Sequence, residues 1–180
     1  MILPDLLRPG LALVLCGSAP SRASKEAAAY YAHPGNLFWA TLHAVGLTPR
    51  RLEPGQYPEL LAHGIGLTDL NKTEWGADAE LTPGGFDRAG FVAKMRCHRP
   101  GLIAFDSKFA AGRYFGTTRI GYGVQDETLD GIPLWVVPSP SGRARRYFDL
   151  APWHDLARRV RALGGAAAPH PARGEAPDPL

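Results

Sequence analysis

The stretch "LALVLCGSAPSRASKEAAAYYAHPGNLFWATLHAV", residues 11–45, decides the fold. Leu11 to Cys16 is a short apolar run closed by Gly17 and a Ser-Ala-Pro turn, the pattern of a strand buried on both faces. A secretory or lipoprotein signal would need a longer apolar core, and Asp5 and Pro9 precede this one. From Asn36 to Val45, Phe38, Trp39, Leu42 and Val45 recur at helical spacing. Strand, loop, helix is the opening unit of an α/β sheet.

The same alternation continues outward. Phe86 to Cys97 reads as a helix, Gly101 to Phe105 as a second buried strand, and Lys108 to Gly112 as the start of another helix. Ile132 to Val137 is a third strand, and Pro152 to Leu163 a closing helix. The expected fold class is therefore α/β: a single three-layer domain over residues 1–163, with a mainly parallel central sheet and helices on both faces. Residues 164–180, rich in Ala and Pro, bury too little surface to offset their ordering entropy and are expected to be disordered.

Composition narrows the function classes. With 180 residues, 45% of them hydrophobic, the chain can bury one proper core, and a net charge of +3 leaves any preference for an acidic partner to local clusters. Cys16 and Cys97 match no redox or metal spacing, which fits a reducing cytoplasm. The six histidines show no ligand spacing with one another, so no metal site is expected. There is no G-x-S-x-G elbow, and "GSAPSRAS" lacks the Gly-Lys-Ser/Thr ending of a P-loop. No segment is long enough to span a membrane.

Ligands of such sheets bind beyond the carboxyl ends of the strands, which selects the loops starting at Gly17, Asp106 and Pro138. In "PSPSGRARRYF", Ser139, Ser141 and Gly142 are small and polar or flexible, and Arg143, Arg145 and Arg146 follow at once. That combination suits a phosphate backbone; the plainer reading is a solvated basic turn. Tyr30 and Tyr31 either fill the core or offer a flat face to a nucleobase. Asn36 can read a base edge, orient a water, or simply cap the helix that begins there. His33 is an acid, a base or a satisfied loop residue. Asp106, at a strand end, is a candidate base or a cap for the helix at Ser107.

Taken in order, "RPGLALVLCGSAPS", "YYAHPGNLFWATLHAVGLTPRRL", "GIGLTDL", "RPGLIAFDSKFA" and "VVPSPSGRARRYF" resemble the uracil-DNA glycosylase superfamily, particularly its mismatch-specific uracil/thymine branch, from about Pro9 to Leu163. The resemblance implies an enzyme that flips a damaged base out of DNA and hydrolyses its N-glycosidic bond, leaving an abasic site. Uracil is the expected base, with hypoxanthine or xanthine as the alternative, or damage binding with little catalysis. A small-molecule nucleoside hydrolase would leave "SGRARR" without a role. No cofactor is implied, the expected partner is DNA containing a damaged base, and the expected state is a cytoplasmic monomer.

The resemblance also distributes roles. Tyr31 takes the position of the aromatic that stacks on the flipped base, the backbone at Gly17 and Ser18 lines the pocket and faces the base carbonyl, and Ala19, His33 and Ser139 are the other expected substrate contacts. Ser141, Gly142, Arg143 and Arg145 form the loop that enters the duplex, with Arg143 at the wedge. The mismatch-specific branch carries Gly-Ile-Asn-Pro-Gly in its first motif, whose asparagine positions the water; here the aligned residue is Ala19, whose methyl cannot orient water. "GSAPS" with "YYAHPGNLFW" looks closer to the hypoxanthine-DNA glycosylase branch, which makes Asn36 the first candidate for that role, Asp106 the next and Ser18 an assisting donor. Glu26 is a remote candidate, and Asp69 in "GLTDL" receives no role.

Overall fold

In the computed structural model, which describes residues 1–164, a five-stranded sheet lies between two helical layers. The strands are β1 (Leu13–Gly17), β2 (Ile65–Asp69), β3 (Ile103–Phe105), β4 (Gly123–Leu129) and β5 (Ile132–Val136). The helices are α1 (Arg22–Ala27), α2 (Phe38–Ala44), α3 (Arg88–His98), α4 (Lys108–Phe115) and α5 (Ala151–Ala162). Sheet order is β2-β1-β3-β5-β4; all neighbours are parallel except the β4–β5 hairpin. The expected α/β class and mainly parallel sheet are present. Except for Gly164, the tail expected to be disordered lies outside the described residues.

Side-chain alternation explains the layering. Leu13 and Leu15 of β1 face one layer with Phe38, Trp39 and Leu42 of α2 and Trp153, Leu156 and Val160 of α5. Val14 and Cys16 face the other layer with Phe91 and Met95 of α3 and Ala110, Ala111 and Tyr114 of α4. Both faces being covered, the inner strands carry near-continuous apolar runs. Trp153 is fully buried and donates its indole N–H to the Pro138 carbonyl at 3.0 Å, fastening α5 beneath the loop that leaves β5.

The expected elements exist with boundaries moved by one or two residues, and local chemistry sets them. The helix expected from Phe86 begins at Arg88 because Asp87 caps it, accepting from Gly90 N. The helix expected from Asn36 begins at Phe38, because the Asn36 Oδ1 accepts from Phe38 N at 2.9 Å and holds the preceding turn. Two strands, β2 and β4, and the short helix α1 were not expected. Among the described residues no helix is long and apolar enough to cross a membrane.

Candidate active site

Strand order creates the site. From β1 the chain moves to β2 on one side and then returns to β3 on the other, so the connections diverge at the carboxyl end of β1. Gly17 pairs in register with Asp69, and Asp106 follows directly after β3. A Cβ on Gly17 would lie 2.6 Å from Asp69 Oδ1, 3.4 Å from Asp106 Oδ2 and 3.7 Å from the Tyr31 hydroxyl. Glycine is thus the residue that lets two carboxylates and a phenol converge on one point.

Both carboxylates are more than nine-tenths buried, Asp69 at 4% exposure and Asp106 at 7%. Burial pushes the Asp106 carboxyl up to about 7; the Tyr31 hydroxyl, donating to Asp106 Oδ2 at 2.8 Å, opposes the rise and the neighbouring Asp69 adds to it. Asp69 is likewise raised by burial to about 7, with Lys72 pulling the other way. Its Oδ2 is buried without a hydrogen-bond partner, the Lys72 Nζ standing 3.9 Å off. That ammonium is held by Asp5 at 2.8 Å and bonds the Tyr30 hydroxyl at 3.2 Å. Burial alone would raise Asp5, but its bonds to Lys72, Lys94 and Thr68 hold its carboxyl below the ordinary range. A charged network therefore backs the site on the β2 side.

Tyr31 is built into this floor at a cost. Its backbone is left-handed, φ 52°, a conformation that disfavours a bulky side chain by about 1–3 kcal/mol. The turn delivers the ring onto Phe38, stacked with centroids 3.7 Å apart, and its hydroxyl onto Asp106. The two adjacent tyrosines thus divide the alternatives between them: Tyr30 is buried in the core and Tyr31 reaches the site.

Above this floor opens a cleft of about 1190 Å³, and the site residues singled out in the sequence line it, Glu26 and Arg146 excepted. Ser18 donates to Asp78 Oδ1 at 2.7 Å, and Ala19 presents its methyl beside it. The His33 Nδ1 accepts from Gly35 N at 3.0 Å, which is the satisfied-loop role. With Asn36 Oδ1 bound to Phe38 N, the carboxamide nitrogen is its free donor among the described residues. Ser139 Oγ accepts from Ser141 N at 3.3 Å. Asp106 is not a helix cap: Ser107 takes that role, accepting from Ala110 N, and leaves the Asp106 carboxylate to the cleft. Glu26, the remote candidate, is exposed and outside the cleft.

The loop after β5 forms one wall. A 3₁₀ turn, Gly142–Tyr147, carries Arg143 and Arg145, both exposed at the mouth. It is clamped to the His-Pro-Gly-Asn segment backbone to backbone: Leu37 N donates to the Pro140 carbonyl at 2.8 Å. A Cβ on Gly142 would come within 2.9 Å of the Gly35 carbonyl oxygen, so glycine permits this approach too. Arg146 lies outside the cleft. Asp69, given no role in the sequence, is the addition the structure makes. The rule that ligands sit at strand ends would have found it, had "GIGLTD" been recognised as a strand.

The cleft can take a group against Tyr31 and the two acids, accept a proton at its floor, and neutralise phosphates at its rim. The family model for the uracil DNA glycosylase superfamily matches residues 4–161. A solution NMR structure from Methanosarcina acetivorans, provisionally designated a uracil DNA glycosylase, superposes with a TM-score of 0.66 at 23% identity, over 88% of this chain and 96% of that one. The fold is shared with that structure, and the match over nearly the whole described chain shows that this protein belongs to the uracil DNA glycosylase superfamily, a group of DNA repair glycosylases.

Proposed function

We propose that the protein removes uracil from DNA as a monofunctional glycosylase, and that Asp106 is the group that handles the attacking water. The observation that carries this reading is the convergence of Asp69 and Asp106 on Gly17 at the floor of a cleft rimmed by Arg143 and Arg145. An extruded base enters the cleft against Tyr31. As the bond from the sugar C1′ to the base nitrogen breaks, its electron pair leaves with the base. The water oxygen then bonds C1′, and Asp106 takes the water's proton. A carboxyl near 7 suits a general base at neutral pH, and its negative charge favours the cationic sugar. The Asn36 carboxamide nitrogen donates to a base carbonyl. Ala19 therefore does not leave the site without a group for water; Asp106, just past the end of β3, supplies it.

A uracil-containing oligonucleotide, treated with alkali after incubation, tests the activity. Strand breaks at the uracil are expected, and their absence in paired, mismatched and single-stranded contexts would overturn the proposal. In the same assay, Arg143→Ala should raise KM and weaken duplex binding more than it lowers kcat, because phosphate and wedge contacts position DNA without touching the reacting bond. Tyr31→Phe removes the hydroxyl that lowers the Asp106 pKa. Its pH–rate profile should rise at a higher pH than that of the wild type; an unmoved limb would detach Tyr31 from Asp106.

A second reading draws on the same floor. With both carboxyls near 7, the pair retains a proton at neutral pH, and a protonated acid can donate to a departing purine. Competition between uracil and hypoxanthine in otherwise identical duplexes separates the two substrates.

A further inference from the structure

Few large apolar side chains are exposed among the described residues, and two of them, Tyr122 and Tyr147, line the candidate active-site cleft. Tyr147 is 77% exposed and closes the 3₁₀ turn that carries Arg143 and Arg145; Tyr122 is 43% exposed and precedes β4. They come from separate elements, so local sequence does not explain why both line this cleft. Each has a cation near its ring, the Lys108 Nζ 4.4 Å from the Tyr122 centroid and the Arg146 guanidinium 6.0 Å from that of Tyr147. Lys108 itself lines the cleft.

Exposed rings interleaved with cations beside a groove are the arrangement that holds unpaired nucleotides. The bases stack on the aromatic faces whatever their identity, while the cations follow the phosphates. A duplex keeps its bases stacked on one another and has little use for two such rings. The glycosylase reading needs one aromatic, Tyr31, for the extruded base. It leaves Tyr122 and Tyr147 unused.

We propose that Tyr122 and Tyr147 are stacking platforms for the nucleotides flanking the extruded one, so that the cleft takes single-stranded DNA. This rests on the DNA glycosylase reading and adds to it the form of DNA that the rim holds. The charge at the mouth is complementary to a phosphate backbone, and both rings are open to solvent on the surface where that backbone would pass.

The test uses a single strand with a tetrahydrofuran abasic analogue at the target position and 2-aminopurine beside it, whose fluorescence falls when it stacks. The same analogue in a duplex serves for comparison. Wild-type protein should bind the single strand and quench the probe. Tyr122→Ala and Tyr147→Ala should each weaken single-strand binding by about tenfold and relieve the quench, with a smaller effect on duplex binding. Tyr147→Phe should restore both, since the ring and not the hydroxyl is used. Wild-type binding to duplex alone, or unchanged single-strand binding and quenching in both alanine variants, would overturn this proposal and leave the glycosylase reading standing. Wild-type binding to neither form would overturn both.

Discussion

Asp106→Asn is expected to lower kcat for uracil excision by about 10²–10⁴-fold, the range for losing a positioned general base, while duplex binding stays near the wild-type level. The substitution keeps the side chain's size and an acceptor oxygen for the Tyr31 hydroxyl, which bonds Asp106 at 2.8 Å. What it removes is the ability to take a proton and to place a negative charge beside the sugar. The wild-type rate should climb as pH rises through about 7 while Asp106 ionises, and the variant's profile should be flat there. A binding protein without catalysis would show neither loss, and its abasic product would be missing from the start. Asn36→Ala in the same assay separates the two candidates for the water. If Asn36 held the water, its loss would cost as much as that of Asp106. As a base-reading donor whose oxygen also caps the turn into α2, it should cost less turnover and some stability.

The strands that could be read from the sequence are the continuously apolar ones. Leu13 to Cys16 and Ile103 to Phe105 are buried on both faces, and Ile132 to Val136 is buried on one face and partly covered on the other at Pro133 and Trp135. β2 escapes that test because Gly66 and Thr68 interrupt its apolar run, yet both have structural reasons. A Cβ on Gly66 would lie 2.6 Å from Leu11 Cδ1 and 2.7 Å from the Leu6 carbonyl oxygen, so the glycine admits the N-terminal segment that crosses it. Thr68 donates to Asp5 at 2.7 Å and joins the charged network. β4 is polar because it is an edge strand, where charges and short pairing discourage association. Its turn was readable: Asp130 and Gly131 both take positive φ, as an Asp-Gly hairpin requires.

The site was legible as loops but not as a geometry. Sequence periodicity marks strand ends without saying which strands are neighbours. Only the order β2-β1-β3 sets Asp69 and Asp106 on either side of Gly17. Hence Ala19 draws attention in the sequence, as a missing asparagine, while Asp106, the acid proposed for its role, lies just past the end of another strand. Two of the five segments that carry the family resemblance touch through Gly35 and Gly142, so their joint presence reflects one clamp.

The acids that serve the cleft should also burden the fold, and the burden has a definite pH dependence. Burial raises the carboxyl of Asp69 from 3.8 to about 7, against the pull of Lys72. The folded state then holds a proton that the unfolded chain releases, so stability is full below about pH 4, falls as pH rises towards 7, and changes little above that on this account. A rise of that size corresponds to at most about 4 kcal/mol at pH 8, at about 1.36 kcal/mol per pH unit. Asp69→Asn abolishes the ionisation without emptying the site, and Lys72 keeps its partners Asp5 and Tyr30. The variant should therefore melt several degrees above wild type at pH 8 and close to it at pH 4. Equal melting shifts at the two pH values would mean that Asp69 is not held protonated by the fold. A lower Tm at pH 8 alone would mean that its charge is stabilising, through Lys72 or another partner, and that the floor of the cleft is less hostile to a carboxylate than its burial implies.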